Sequence, residues 1–360
     1  MSTKKTVVVG VSGGVDSSVA AYLLKEQGYE VIGLFMNNWD DENDEVCTAA
    51  EDWQDARAVC GALGIPAYSV NFQKEYMERV FRYFLAEYQK GRTPNPDVLC
   101  NREIKFGPFW DYARRLGADY IATGHYCRID ERGDEVHLLE AADAGKDQTY
   151  FLNQVRTQQL KGVLFPLGDL VKGEVRAIAE KNGLVTAKKK DSTGVCFIGE
   201  RNFKKFLSAY LPAKRGDIVD THGKVVGTHD GLMYYTIGQR RGLGIGGVKG
   251  EAQSRWYVVR KEMERNRLVV SCGEGEELLY SSLVCDGFNF IGAAPESKSF
   301  ACFVKTRYRM PAQPARLTVT DGGAHIAFES PQRAVTPGQY AVAYLGGRCL
   351  GGGAIQEAFA

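Results

Sequence analysis

Near its amino end the chain runs from an apolar stretch, VVVGV, directly into SGGVDSS and then into VAAYLL. No other feature narrows the fold so much. Consecutive valines all seeking burial suit a strand covered on both faces, as in a parallel sheet, and a glycine-rich turn leading straight into a helix is the joint of a βαβ unit. Further short apolar runs at 31–36, 68–71 and 120–123 read as strands, with helical spacing between them. Between 73 and 90, Tyr76, Val80, Tyr83, Phe84 and Tyr88 recur at that spacing, and GRTPNPD then breaks the helix into a loop with two prolines. The expected class is α/β, with an N-terminal doubly wound parallel sheet whose ligands gather at the carboxyl ends of the strands.

The turn itself suits phosphate. Glycines without Cβ let backbone amides close around phosphate oxygens, Ser17 and Ser18 can donate hydroxyl hydrogen bonds, and the helix start favours an anion. Asp16 is a candidate magnesium ligand. The sequence is neither a Walker A loop, lacking G-K-[ST], nor G-x-G-x-x-G. It resembles the S-G-G-x-D-S signature of the PP-loop ATP pyrophosphatases, whose sheet is of the adenine nucleotide α-hydrolase kind. That resemblance implies that Gly10, Val11, Ser12, Gly13, Gly14, Val15, Asp16 and Ser17 hold ATP while an acceptor oxygen attacks its α-phosphorus, releasing pyrophosphate. An ordinary Gly-Ser turn is the plainer alternative. The loop alone does not name the acceptor.

At 360 residues the chain exceeds one ordinary core. After about residue 205, glycine-rich turns and short alternating segments replace long helical patterns. The boundaries read as 1–205 for the nucleotide domain, 206–275 for a small central domain containing a hairpin at 216–231, and 276–360 for strands spaced as in a small antiparallel β-barrel or sandwich. No stretch approaches the roughly 18 uninterrupted apolar residues that cross a bilayer, so a cytoplasmic protein without membrane contact is expected. The nine cysteines (47, 60, 100, 127, 196, 272, 285, 302 and 349) form no C-x-x-C, and the five histidines have no metal-ligand spacing. No protein-held metal cluster is expected, and any sulfur chemistry must use individual thiols. Net charge is +1, but residues 40–55 hold eight acidic residues and no basic ones, whereas 181–250 hold 13 basic against 5 acidic. A phosphate backbone would prefer the second region, and the first offers at most a dock for a sulfur-donor protein.

Several segments spread along the chain narrow the acceptor: GRTPNPDVLCN (91–101), TGHY (123–126), KDQTYFL (146–152), KKKDSTGVCFIGER (188–201), GLMYYTIGQRRGLGIGG (231–247), KTRYR (305–309) and CLGGG (349–353). Together they resemble the tRNA-specific 2-thiouridylases. The resemblance implies an enzyme with a C-terminal antiparallel β-barrel that contacts tRNA. It would adenylate the C2 oxygen of the wobble uridine in the anticodon loop with ATP and Mg2+, then replace that oxygen with sulfur. Cys196 would carry the persulfide, and Cys100 would help release its terminal sulfur, leaving a transient Cys100–Cys196 disulfide. Asp97 would move a proton, and Asn95 and Pro96 would line the base pocket with it. Met36 and Gly124 would meet the nucleotide, and His125, Lys146, Asp147, Gln148, Arg307, Tyr308 and Gln339 the tRNA. A relay protein or cysteine desulfurase would supply sulfur. The alternatives are another PP-loop adenylating ligase, which needs no cysteine pair, and a non-catalytic tRNA-binding adaptor.

Overall fold

The computed structural model describes residues 4–39, 49–191, 203–245 and 255–360. Cys196, the rest of 192–202 and most of the acidic run at 40–55 lie outside these, so the expectations on them are not addressed by the architecture.

In chain order come β1 (Thr6–Gly10), α1 (Val15–Glu26), β2 (Glu30–Asn37), α2 (Ala49–Leu63) and β3 (Ala67–Asn71). Next are α3 (Gln73–Tyr76), α4 (Arg82–Gln89), α5 (Pro96–Cys100), α6 (Pro108–Arg115) and β4 (Tyr120–Ala122). Then follow β5 (Arg128–Arg132), β6 (Glu135–Leu139), α7 (Thr149–Leu152), α8 (Thr157–Leu160), β7 (Val163–Leu164), α9 (Lys172–Lys181) and α10 (Phe203–Ser208). Five of these strands form a parallel sheet in the order β3-β2-β1-β4-β7. Strand order turns about β1, which opens a crevice where its carboxyl end meets that of β4.

Val7, Val8 and Val9 are all completely buried, as their unbroken run demands. Val7 and Val9 pack with Val19, Leu24, Val59 and Val175 of α1, α2 and α9, while Val8 joins Phe81, Ile104 and Phe109 on the opposite face. The amphipathic stretch at 73–90 is helical, but a π-turn, Met77–Phe81, separates α3 from α4, and a second, Asn101–Lys105, follows α5. Each adds a residue to a helical turn and re-aims the side chains beyond it. The expected loop stops short: Pro96 starts α5, because its fixed φ and missing N–H suit a first helical position.

The central unit holds β8 (Gly216–Asp220), β9 (Val225–His229), β10 (Trp256–Glu262) and β11 (Arg267–Cys272), in the order β10-β11-β8-β9 over Ile218, Val258, Leu268 and Val270. The last unit consists of β12 (Leu279–Phe290), β13 (Ser299–Lys305), β14 (Gln313–Thr320), β15 (Gly323–Arg333), β16 (Tyr340–Leu345) and β17 (Arg348–Phe359). All its pairings are antiparallel, and β12 pairs with both β15 and β17, closing a barrel without edges.

Residues 128–139, which carry no strand in the sequence reading, form the β5–β6 hairpin. It extends the barrel sheet through Arg348↔Leu139 and Cys349↔Leu138. The core on the Val8 face accordingly continues into Tyr340, Val342 and Cys349 of the barrel and Phe206 and Leu207 of α10. The nucleotide domain and the barrel share apolar packing and sheet.

Candidate active site

The SGGVDSS turn sits at the carboxyl end of β1. Gly13 has φ +71°, and a Cβ there would lie 2.5 Å from the Asp52 carbonyl oxygen, so both handedness and space require glycine. Gly14 caps α1 in an extended conformation, and among the described residues no side chain bonds that helix start. The loop is braced from within: Ser12 N donates to Ser17 Oγ at 3.1 Å, and Ser17 and Ser18 hydroxyls donate to Gly14 O at 3.1 and 2.8 Å. Ser18 Oγ also accepts from Thr186. The exposed hydroxyl of the turn is that of Ser12. Val11 is buried and Val15 packs into the core. Met36, from the end of β2, brings its methyl to 3.8 Å from where a Gly10 Cβ would stand.

Gly124, two residues beyond β4, lies against the same turn. A Cβ on it would be 2.8 Å from Ser17 N and 2.9 Å from Asp16 C. The two segments therefore meet backbone on backbone at the base of the crevice.

Asp16 lies at the centre of a charge cluster. Its Oδ1 accepts from Tyr126 Oη at 2.8 Å, and Lys172 Nζ stands 2.7 and 2.8 Å from its two oxygens. Lys172 also pairs with Asp191 at 2.8 Å, and Asp191 receives Lys146 at 2.8 Å and Arg176 at 2.7 Å. Burial works against the charge of Asp191, but Lys146 and Lys172 hold its carboxyl down at about 2. Burial and the neighbouring Asp16 carboxylate push the Tyr126 phenol up. Among the described residues no three His, Cys, Asp or Glu side chains gather as a metal site.

The second group of candidates lies on α5. Asn95 is its N-cap, its Oδ1 accepting from Asp97 N at 3.2 Å, and Pro96 is the first helical residue. Asp97 is half-buried in the first turn, while Cys100 at the far end is completely buried. The segment after Cys100 leads back to the carboxyl ends of β1 and β4: the Phe109 ring lies 3.5 Å from the Gly10 Cβ position, and Phe106 faces His125 with ring centroids 6.1 Å apart. Burial pushes the thiols of Cys60 and Cys302 to about 11 and those of Cys285 and Cys349 to about 12, and it raises that of Cys127 well above the usual thiol range. None of these five supplies a thiolate at neutral pH.

The loop entering α5 is held by all three units. Lys261 of the central unit donates to Gly91 O at 2.9 Å, and Thr93 and Thr236 hydroxyls meet at 3.4 Å. From the barrel, Pro337 O accepts from Thr93 N at 3.0 Å, and Gln339 Nε2 donates to Thr93 O at 2.8 Å. Gln339 is thus engaged with the loop that orients Asn95.

The other tRNA candidates divide by exposure. Lys146 is 40% exposed and faces the Asp191 cluster. Asp147 is 5% exposed and turned inward, accepting from Ala141 N and the Thr149 hydroxyl. Gln148 accepts from Tyr126 N at 2.9 Å. His125 is buried beside Thr123 Oγ1 at 2.7 Å, and burial, helped by Lys105, holds it well below the usual imidazole range, hence neutral. Arg307 donates to Ile237 O, Ala334 O and Thr336 Oγ1, joining barrel to central unit. Tyr308 lies 4.4 Å, centroid to centroid, from Phe151 of α7. Sequence reasoning missed Lys172, Tyr126, Thr93 and Lys261; a lysine opening an amphipathic helix reads as a solvated charge, and no local spacing links it to Asp16.

Three family models match in succession: a tRNA methyl transferase HUP domain over residues 5–200, a tRNA methyl transferase PRC-barrel domain over 204–272 and an aminomethyltransferase beta-barrel domain over 280–355. The chain is 57% identical over 361 residues to a tRNA-specific 2-thiouridylase MnmA of Streptococcus mutans, covering 99% of this chain and 97% of that protein. It is 58% identical over 357 residues to a protein of the same name from Lysinibacillus sphaericus, covering 98% and 94%. Among solved structures, the U34-tRNA thiolase NcsA from Methanococcus maripaludis matches at 21% identity over 57% of this chain and 65% of that one, with a TM-score of 0.35.

Proposed function

The chain belongs to the tRNA-specific 2-thiouridylase family, and from that premise we propose that it makes 2-thiouridine at the wobble position by adenylating O2 and replacing it with persulfide sulfur. The family-model descriptions speak of methyl transfer, but near-complete length at 57–58% identity outweighs a domain label. The observation that supports the reading is proximity: the Asn95-capped helix ends in Cys100, and the segment after it brings Phe109 to 3.5 Å from the Gly10 Cβ position at the glycine-rich turn and sets Phe106 beside His125.

Uridine O2 attacks the α-phosphorus of ATP. The O2–P bond forms, the α–β anhydride bond breaks, pyrophosphate leaves and the N3 proton is lost; half-buried Asp97 is the proposed acceptor. The amides of the α1 start hold the phosphates, and magnesium enters as the counter-ion of ATP. Asp16 fits its taste for oxygen donors, although Lys172 and Tyr126 already bond that carboxylate. The terminal sulfur of a Cys196 persulfide then attacks C2, and the C2–O bond breaks as AMP departs. Cys100 attacks the Cys196 sulfur, forming a Cys100–Cys196 disulfide while the electron pair of the cleaved S–S bond stays on the sulfur now bound to uridine, and N3 regains its proton. An external thiol reductant restores both cysteines, and a persulfide donor reloads Cys196.

The test is to incubate the purified chain with an unmodified tRNA transcript, ATP and a persulfide donor, then measure pyrophosphate and digest the tRNA for mass spectrometry. Cys196→Ser should abolish thiouridine yet still yield adenylated tRNA. No pyrophosphate release and no thiouridine from the wild type would sink the proposal.

A further inference from the structure

Three consecutive residues each reach a different part of the protein. Lys146 bonds Asp191, beyond α9, at 2.8 Å. Gln148 and Tyr126 pair reciprocally: Gln148 N donates to Tyr126 O at 2.8 Å, and Tyr126 N donates to Gln148 Oε1 at 2.9 Å. The Tyr126 hydroxyl then donates to Asp16 of the glycine-rich turn at 2.8 Å. Asp147, between them, turns to the barrel. Its Oδ2 stands 3.5 Å from the ammonium of Lys305, the last residue of β13, and the two side chains are only 3% and 13% exposed. Pairing of Lys305 with Val342 of β16 fixes the backbone from which that lysine reaches. Its ammonium is also 3.4 Å from Glu140 and 4.6 Å above the Tyr344 ring. The remaining partners of Asp147 are neutral: Ala141 N donates at 3.1 Å and the Thr149 hydroxyl at 2.7 Å, both from its own stretch of chain.

Resting on the tRNA-adenylating reading above, we propose that Lys305 is a positioning residue of the adenylation step: through Asp147 it sets Gln148, and hence the Tyr126 hydroxyl, against the glycine-rich turn. Among the described residues Lys305 is the cation paired with Asp147, so removing it strands a buried carboxylate, which is costly until the chain moves to reach water. Glu140 N bonds Gly347 O and Thr149 opens α7, so both ends of the turn are held and the shift falls on the residues between, Gln148 among them. A direct phosphate contact suits Lys305 poorly, because an ammonium set between two carboxylates has no surplus positive charge to offer. The barrel thereby takes part in activating the uridine, from a position two residues before Arg307.

The experiment uses the full chain and measures tRNA-dependent pyrophosphate release, tRNA affinity by filter binding, and amide hydrogen exchange without substrates. Rates are counted per tRNA-binding site, so unfolded protein does not enter them. Lys305→Met should lower kcat at least about tenfold, since a misplacement on the order of 1 Å can cost about 100-fold, while tRNA affinity stays within about threefold of wild type. Exchange at the Tyr126 and Gln148 amides should quicken at least about tenfold. Glu140→Gln should match wild type in all three, because Asp147 keeps the lysine. A lysine that bonds tRNA directly gives the opposite split, with weaker tRNA binding, full kcat at saturating tRNA and unchanged exchange, and that result overturns the proposal. Should Lys305→Met fail to fold, Asp147→Asn carries the test, because it cuts the same link and leaves the lysine in place. The same loss of kcat supports the proposal, and a kcat within about twofold of wild type overturns it. A wild type that releases no pyrophosphate removes the adenylation reading instead, and the exchange comparison, which needs no substrate, still decides whether Lys305 places the segment.

Discussion

Gly338 is the point where the barrel presses on the loop that enters the Cys100 helix, and replacing it with alanine tests whether that loop is held from a distance. Its φ is +91°, and a Cβ would stand 2.9 Å from both Thr93 N and Thr93 C and 3.0 Å from Thr93 O. The left-handed backbone costs an alanine about 1–2 kcal/mol, and forcing a methyl into backbone atoms that have no rotamer to change costs about 1–3 kcal/mol more. Together that is about 2–5 kcal/mol, charged to the contact between residues 337–339 and 93. Thr93 N donates to Pro337 O, so its amide reports on that contact directly. At about 1.4 kcal/mol per tenfold, even the lower figure should speed hydrogen exchange at Thr93 about 30-fold and lower thiouridine formation, although residue 338 touches no substrate. Gly322→Ala is the control, since a Cβ there meets nothing within 4 Å. If Gly338→Ala folds, and its Thr93 amide exchanges as slowly as in Gly322→Ala, then the barrel does not hold this loop and the reasoning fails.

Gly124→Ala should drive a methyl into Ser17 N and Asp16 C, displacing the first turn of α1; calorimetry should find ATP affinity at least about tenfold weaker at a stability cost of about 1–3 kcal/mol. Unchanged affinity would mean the turn yields freely. Lys261, half-buried against Gly91 O, is pulled by burial from the ordinary lysine range down to about 8. Between that value and 10.5 the folded chain has shed a proton that the unfolded chain keeps, so this group's contribution to stability rises as pH increases from about 8 to 10.5, and the full cost applies below. It amounts to at most about 3 kcal/mol. The melting-temperature difference between Lys261→Met and wild type should therefore favour the variant near pH 7 and shift toward wild type by pH 10; a difference constant with pH would remove the argument.

Features with local causes were legible in the chain. The valine run of β1 marked a doubly covered strand, the glycines marked a tight strand-to-helix turn, and the alternation after residue 205 marked the change to largely antiparallel sheet. The β5–β6 hairpin was not legible, because what makes 128–139 a ribbon is pairing with β17, more than two hundred positions away. The same holds for the cluster at Asp16: Lys172 and Asp191 are ordinary charges until α9 docks on α1. Residue type also misleads about exposure. Arg307 and Asp147 belong to classes that usually face water, yet Arg307 spends three hydrogen bonds on its own chain and Asp147 is almost wholly enclosed. The π-turn after Cys100 depends on one extra residue in a turn that no composition signals.

The β5–β6 ribbon sets an order of events during synthesis. It leaves the ribosome with the nucleotide half, while β17, the strand that covers β6, emerges only at the end of the barrel. Until then the rim of β6 offers unpaired amides and carbonyls, with Tyr150 and Leu138 lacking much of their apolar cover. The nascent half is consequently prone to stick to strands of other chains, and a fragment cut near residue 275 would be permanently in that condition. The loop that enters α5 gains its supports from Pro337 and Gln339 only once the barrel has formed.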